Sequence, residues 1–419
     1  MNHIKPLTGI KVLELASYIA GPTCGMLLAN WGAEVIKLES LKGDEWRISG
    51  VYYGIPVDEN EVPFFDVCNA NKKSISLDLK SEGGMEVFQS LLQSSDVFVT
   101  NLRPASLSKM KIGYDDIKES CPRLIYASLT GYGENGPFAD APGFDAVSFW
   151  ARSGFLVDQA DPSGYPVVPP SGFGDASTGT TLFGAICASL LGREKTGCGD
   201  YLSISLFGTA LWFASLQIIL NQERYGDYYP KKRLEINPFE CAYRCSDGEW
   251  MMLAFSDYDM HVAPLFKILG MERELENPNF ASMELCMINR AALILRLEEA
   301  FQAHSSGELA RIFAEEKLVF DLMGHYRNVP QDVQALANRY IQNLSCPSGA
   351  EVAVSMPPVK SQQLGEYVPA RGPFLGEDTR ALLEKLGYGE DKIDNMLENK
   401  IAFQHEHRRS EAPAAQHTK

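Results

Sequence analysis

Over the first 130 residues, short apolar runs alternate with amphipathic stretches. Ile10-Lys-Val-Leu-Glu-Leu15 has the apolar density of a buried strand, a turn with Gly21-Pro22 follows, and Thr23 to Trp31 reads as an apolar helix. Gly32-Ala-Glu-Val-Ile-Lys-Leu-Glu39 is a second strand signal, which completes a βαβ pattern. The pattern continues with a strand over Lys73 to Asp78, an amphipathic helix over Gly83 to Ser94, a strand over Val97 to Thr100, a helix near Tyr114 to Ser120 and a strand over Leu124 to Leu129. This alternation predicts an α/β fold with a large, Rossmann-like parallel sheet. Ligands of such sheets bind beyond the carboxyl ends of the strands. Three loops are therefore candidates to face one crevice: Ser17-Tyr18, Asn101-Leu-Arg103 and Thr130-Gly-Tyr-Gly133. No Gly-x-Gly-x-x-Gly follows the first strand, so a dinucleotide site is not supported.

The pattern changes after residue 225. Tyr225 to Pro238 is polar and rich in Tyr, Lys, Arg and Pro, like a linker, and Phe239 to Phe255 reads as a hairpin turning at Ser246-Asp-Gly-Glu. Helical signals follow at His261 to Leu269, Asn289 to His304 and Ser306 to Glu316, then strand character over Pro347 to Pro358 and helices over Thr379 to Leu386 and Lys392 to Asn399. The expected organisation is a large domain over 1–225, a small α+β domain over 226–335, a return to the large domain over 336–402 and a disordered tail over 403–419.

One short stretch concentrates candidate chemistry. Asp175 lies in Ser171-Gly-Phe-Gly-Asp-Ala-Ser-Thr-Gly179, just ahead of a buried helical segment over Thr180 to Arg193 that Gly197 and Gly199 follow. Small neighbours would let a bulky substrate approach the carboxylate. The positive end of a helix would keep it ionised, by about 0.3–1 kcal/mol at an exposed site. An ionised, open carboxylate can serve as a covalent nucleophile. The same residues also suit a plain N-cap in a Gly-rich turn.

Composition narrows the alternatives. A chain of 419 residues with 45% apolar and 22% charged residues suits a globular enzyme of two or more domains. The net charge of −16 argues against nucleic-acid binding. The nine cysteines are scattered without a Cys-x-x-Cys pair, as in a reducing cytoplasm, and neither they nor the histidines have metal-ligand spacing. The strongest apolar run, Leu211 to Leu220, is about half a bilayer span and contains Gln217, so no membrane segment is expected.

Several segments in order are similar to the class III CoA-transferases: Leu7-Thr-Gly-Ile-Lys-Val-Leu-Glu-Leu15, Ala20-Gly-Pro22, Gly32 to Glu39, Asn69-Ala-Asn-Lys-Lys-Ser-Ile-Ser-Leu-Asp-Leu-Lys80, Gly131-Tyr-Gly-Glu-Asn-Gly-Pro137, Gly174-Asp175 and Thr196-Gly-Cys-Gly199. Within that family the chain resembles the 2-hydroxyacyl-CoA transferases of amino-acid-fermenting anaerobes, such as cinnamoyl-CoA:phenyllactate CoA-transferase. That likeness is carried by Asn69 to Lys73, Leu129 to Glu134 and Pro142-Gly-Phe-Asp145. The resemblance implies a large domain made from both chain ends with the small domain inserted, and an interlaced homodimer. It implies CoA as part of the substrate, and no tightly bound cofactor is expected. The family's catalytic aspartate falls on Asp175. Its contacts to CoA and thioester fall on Ser17, Tyr18, Ile19, Asn101, Lys109 and Tyr132, with Leu102 and Thr130 in the same two strand-end loops.

CoA carries phosphates, so Lys37, Lys72, Lys73, Arg103 and Lys109 are basic candidates along its path, or a solvated face. Tyr18 would either cover the thioester or pack. Backbone N–H groups beside Asp175 would receive the tetrahedral oxyanions. Ile19 and Thr130 stand where the oxalate enzymes of the family carry Gln and Lys, and Phe144, Phe149 and Trp150 offer apolar surface, which points to an acid apolar at one end. Two other readings remain: an α-methylacyl-CoA racemase, disfavoured because Phe144 stands where those enzymes carry His, and a non-catalytic CoA-binding subunit, disfavoured by an intact Asp175. A transferase for a dicarboxylate or a carnitine-type acid is a further variant.

Overall fold

A computed structural model describes residues 4–55, 57–226 and 228–406. Strands β1 (Lys11–Leu15), β2 (Glu34–Glu39), β3 (Lys73–Leu77), β4 (Val97–Thr100), β5 (Ile125–Thr130), β6 (Asp200–Ser205) and β7 (Ala402–Phe403) form one sheet in the order β7-β3-β2-β1-β4-β5-β6. All neighbours pair parallel except β7, which runs antiparallel to β3. The strand order reverses beside β1, which lies between β2 and β4; this is the switch point where α/β sheets bind ligands. Central strands of such a sheet are covered on both faces, which explains their unbroken apolar character: β4 is buried throughout.

Helix α1 (Ala20–Asn30) leads away from β1, and helix α2 (Phe173–Thr196) packs along it. The approach is close because Gly179 has no side chain; a Cβ there would lie 2.3 Å from the Ala20 carbonyl oxygen. Helix α2 ends at Gly197, whose φ of 73° is the left-handed C-cap conformation that favours glycine.

By its contacts the chain divides into two compact units. One takes Met1–Ser153, Pro169–Ser215 and Val333–Lys419; the other takes Gly154–Val168 and Leu216–Asp332. The second unit has its own core, including Phe239, Tyr243, Met251, Phe266 and Phe301, and a three-stranded antiparallel sheet of Ala242–Arg244, Trp250–Leu253 and Phe320–Leu322. The predicted hairpin is the first two of those strands.

The differences from the sequence pattern are local. Helix α2 starts at Phe173, seven residues ahead of the expected Thr180, so Asp175 sits inside the first turn instead of before it. The strand read within Pro347 to Pro358 is Glu351–Ser355, and it pairs with an unanticipated strand, Ile341–Ser345. Phe403 pairs with Ser76, Gln404 accepts the Arg380 N–H at 2.8 Å, and the His405 ring stacks on Phe374 at 4.5 Å. Of the tail expected to be disordered, 407–419 lies outside the described residues. Among the described residues no helix is long and apolar enough to cross a membrane.

Candidate active site

The carboxyl ends of β1, β4 and β5 open on a cavity of about 300 Å³. Ser17, Tyr18 and Ala20 line it from beyond β1, Asn101 and Arg103 from beyond β4, and Thr130 and Gly131 from the end of β5; Phe144 and Asp175 complete the wall. A second cavity of about 480 Å³ shares Tyr18, Phe144 and Asp175 with the first and adds Ile19, Trp46, Tyr52, Tyr53 and Asp145. Asp175 therefore stands where the cavity at the strand ends and an aromatic one meet.

The wall between the two cavities is built from β1 outward. Tyr18 has φ 63°, a conformation uncommon for a residue with a Cβ, and local bonds hold it there. Its N–H donates to Asp44 Oδ1 at 3.0 Å, its hydroxyl bonds to Glu45, and its ring meets the Phe144 ring edge-on at 5.2 Å. Burial, and then Glu45, push the Tyr18 hydroxyl above its ordinary range, so it remains protonated. Asn101 fixes Ser17 twice: its Oδ1 accepts the Ser17 N–H at 3.0 Å, and its Nδ2 donates to the Ser17 carbonyl at 2.8 Å.

Beneath this loop runs a buried chain of ion pairs. Lys37 meets Glu14 at 3.2 Å and Asp44 at 2.9 Å and donates to the Ala16 carbonyl at 2.8 Å. Glu14 also meets Lys72 at 2.7 Å, and both side chains are fully buried. Gly25 leaves the necessary room, since a Cβ there would lie 1.8 Å from a Glu14 carboxylate oxygen. Lys37 and Lys72 are thus committed to ion pairs in the interior. Lys73 opens β3 at the amino ends of the strands and pairs with Glu34 at 2.9 Å.

The other sequence candidates divide similarly. Ser17, Tyr18, Asn101, Arg103 and Thr130 converge with Asp175 in the first cavity, and Ile19 joins Asp175 in the second. Leu102 packs against the apolar core. Lys109 is exposed in the last turn of the helix Pro104–Met110, whose first residue lines the first cavity. Tyr132 is tilted against Phe138 at 5.6 Å and Phe207 at 6.4 Å. Of the apolar trio, Phe144 is 53% exposed and lines both cavities, whereas Phe149 is core.

Two glycines beside Asp175 have a packing cause. Gly172, at φ 74°, adopts the left-handed conformation at the N-cap of α2, and a Cβ there would lie 2.8 Å from Ile19. A Cβ on Gly174 would lie 2.2 Å from Asp145 Oδ1 and 2.3 Å from Phe149. The cap is not Asp175. Asp145 Oδ2 accepts the N–H of Gly172, the N-cap residue, at 2.9 Å.

Asp175 does not stay strongly acidic at its helix terminus. Burial, and then the charge of Asp145, push it up to about 7; burial raises Asp145 as well. Asp145, Asp44, Trp46 and Tyr52 are site residues that the sequence did not single out as such. Asp145 was visible only as the neighbour of Phe144, and nothing local marks an acid that bonds the N-cap residue of a helix 27 residues further on.

Residues 7–379 match the model of CoA-transferase family III. The chain is 34% identical, over 94% of its length and 99% of the relative's, to an (R)-2-hydroxy-4-methylpentanoate CoA-transferase of Clostridioides difficile. It is 33% identical, over 95% and 98%, to a cinnamoyl-CoA:phenyllactate CoA-transferase of Clostridium sporogenes. It is 32% identical, over 97% and 92%, to a human succinyl-CoA:glutarate CoA-transferase. The fold is similar to the crystal structure of a CAIB/BAIF family protein from Brucella suis, with a TM-score of 0.78 and 29% identity over 91% of this chain and 99% of that one.

Proposed function

The chain belongs to CoA-transferase family III and is a class III CoA-transferase, and from that premise we propose that it moves CoA from an acyl-CoA to a branched or aromatic 2-hydroxy acid through Asp175. The observation that carries this reading is the position of Asp175, shared by the cavity at the strand ends and an aromatic one.

The steps follow from what a carboxylate does to a thioester. An Asp175 oxygen attacks the acyl carbonyl, the C–S bond breaks, and CoA leaves as thiolate from a mixed anhydride. The thiolate attacks the aspartyl carbonyl, the anhydride C–O bond breaks, and the first acid departs as carboxylate, leaving an aspartyl-CoA thioester. The incoming carboxylate attacks that thioester and displaces the thiolate. The thiolate then attacks the new acyl carbonyl and releases Asp175. No proton is gained or lost over the cycle, and the cycle as a whole exchanges one thioester for another of similar energy.

The tetrahedral oxyanions need N–H donors that face the cavity. No side chain caps α1, and Ala20, its first residue, lines the cavity with Asp175. The leading N–H groups of a helix lack partners within the helix, which makes the start of α1 the natural donor. Ser17, Thr130 and Arg103 line the path assigned to CoA, with Lys109 beyond it; Asn101 acts by fixing Ser17. The acyl group occupies the aromatic cavity between Ile19, Tyr52, Tyr53 and Phe144. Phe144 carries no group that moves a proton at the substrate α-carbon, which disfavours racemisation. Two such sites in an obligate, interlaced homodimer belong to the same reading.

A transfer screen over a panel of free acids tests the substrate class. 4-Methyl-2-hydroxypentanoate or phenyllactate should exceed acetate by orders of magnitude in kcat/KM, since each methylene in an apolar pocket contributes about 1–3 kcal/mol. Glutarate or succinate outrunning every apolar 2-hydroxy acid would assign Arg103 to a second carboxylate and overturn the apolar reading.

A further inference from the structure

Asp145 and Asp175 are two carboxylates at one helix terminus, and both line the aromatic cavity. Asp145 is bonded to the backbone there: the Gly172 N–H donates to its Oδ2 at 2.9 Å. Its other oxygen, Oδ1, occupies the volume a Cβ on Gly174 would need, at 2.2 Å. Sequence and geometry agree here: residue 174 is a glycine because Asp145 and Phe149 fill its side-chain space.

Resting on the reading of Asp175 as nucleophile, we propose that Asp145 is a positioning residue for the reaction. Its carboxylate takes the Gly172 N–H at the N-cap of α2, fills the space beside Gly174, and so fixes the first turn and holds Asp175 at the junction of the two cavities. A helix N-terminus ordinarily favours a nearby anion. Here Asp145 shares that terminus, and Asp175 receives an opposing influence as well, a neighbouring negative charge. The groups that face Asp175 are consistent with this. Asp145 is the charged neighbour that acts on it, Asp175 itself acts on the buried Cys68 thiol, and Tyr18 and Arg103 share its cavity. The consequence is a carboxylate that is basic when it ionises, and therefore a stronger nucleophile toward a thioester than an ordinary aspartate.

The test is the pH dependence of CoA transfer in Asp145→Asn, measured with Asp175→Ala and Asp145→Ala as companions. Asparagine keeps an oxygen for the Gly172 N–H and removes the charge. The acid limb of kcat/KM should move down by about one pH unit or more. Asp145→Ala should lower kcat by about 100-fold through loss of placement, with KM for the acyl-CoA little changed. A positioning role also predicts that Asp145→Asn retains more activity than Asp145→Ala at every pH. If Asp145→Asn does not fold, carboxyl 13C NMR of the aspartate-labelled wild-type enzyme gives the same answer, with Asp175 assigned by the signal lost in Asp175→Asn. Coupled titration of Asp175 and Asp145, each signal showing the other's step, supports the proposal, and independent titration of the two overturns it. An acid limb in Asp145→Asn identical to wild type, with Asp175→Ala inactive, overturns the positioning role alone. Full activity in Asp175→Ala overturns the nucleophile reading and this proposal with it.

Discussion

Asp175 combines two properties that ordinarily oppose each other: it lies in the first turn of a 24-residue helix, and its carboxyl is pushed up to about 7. Burial is the larger cause and Asp145 the second. The nucleophile must be ionised, so kcat/KM should fall as pH drops below about 7, with the slope of a single proton. The sign for stability is the reverse of the usual carboxylate case. The fold resists the ionised form, so the cost is absent below pH about 4, grows between the unfolded and folded values, and is constant above about 7. Asp175→Asn should therefore raise the apparent Tm at pH 8, match wild type at pH 4 and abolish transfer. Equal melting at pH 8 would contradict the assigned burial. Lys72 makes the complementary case. Burial, opposed by Glu14, lowers its ammonium to about 8, and the pair is sealed in the interior. Lys72→Ala leaves Glu14 with its charge less compensated, a loss of about 3–5 kcal/mol in denaturant unfolding. In the protein that remains folded, KM for CoA should be unchanged. The sequence signalled a lysine near strand ends; its inward turn depends on Gly25, a distant residue with no local mark.

At the scale of elements, the βαβ alternation was legible because buried parallel strands are continuous apolar runs and the amphipathic helix between β3 and β4 carries its own Ser81 cap. The start of α2 was not. Gly172 and Gly174 look like a turn, and only the Asp145 carboxylate and Phe149 ring show why a helix tolerates Gly174 there. Strand β6, Asp-Tyr-Leu-Ser-Ile-Ser, is polar at alternate positions and takes its place from pairing with β5, and two-residue β7 carries no pattern of its own. The α1–α2 contact gives an element-scale prediction. Gly179→Ala places a methyl 2.3 Å from the Ala20 carbonyl oxygen and 3.0 Å from Thr23. It should destabilise the protein by about 1–3 kcal/mol. It should also lower transfer, because α1 carries both Ala20 and the end of the Tyr18 loop. A variant as stable and active as wild type would show that the helices separate freely.

For the whole molecule, the sheet order places the ends of β1, β4 and β5 side by side, so residues as far apart in the chain as Ser17 and Asp175, 158 positions, line one cavity. The sequence supplied the loops and the acid; the register of the strands brought them together. The homodimer reading predicts a sedimenting species of twice the chain mass with no folded monomer on dilution; an active monomer would refute it. The central claim is that Asp175 carries CoA covalently. Its most direct measurement is mass spectrometry of peptides from enzyme quenched soon after mixing with an acyl-CoA and no acceptor acid, with and without hydroxylamine. The account predicts a CoA adduct on the peptide containing Phe173 and Asp175, converted by hydroxylamine to a hydroxamate at Asp175 and missing from Asp175→Ala. Transfer that proceeds in Asp175→Ala, or an adduct on another residue, would contradict it.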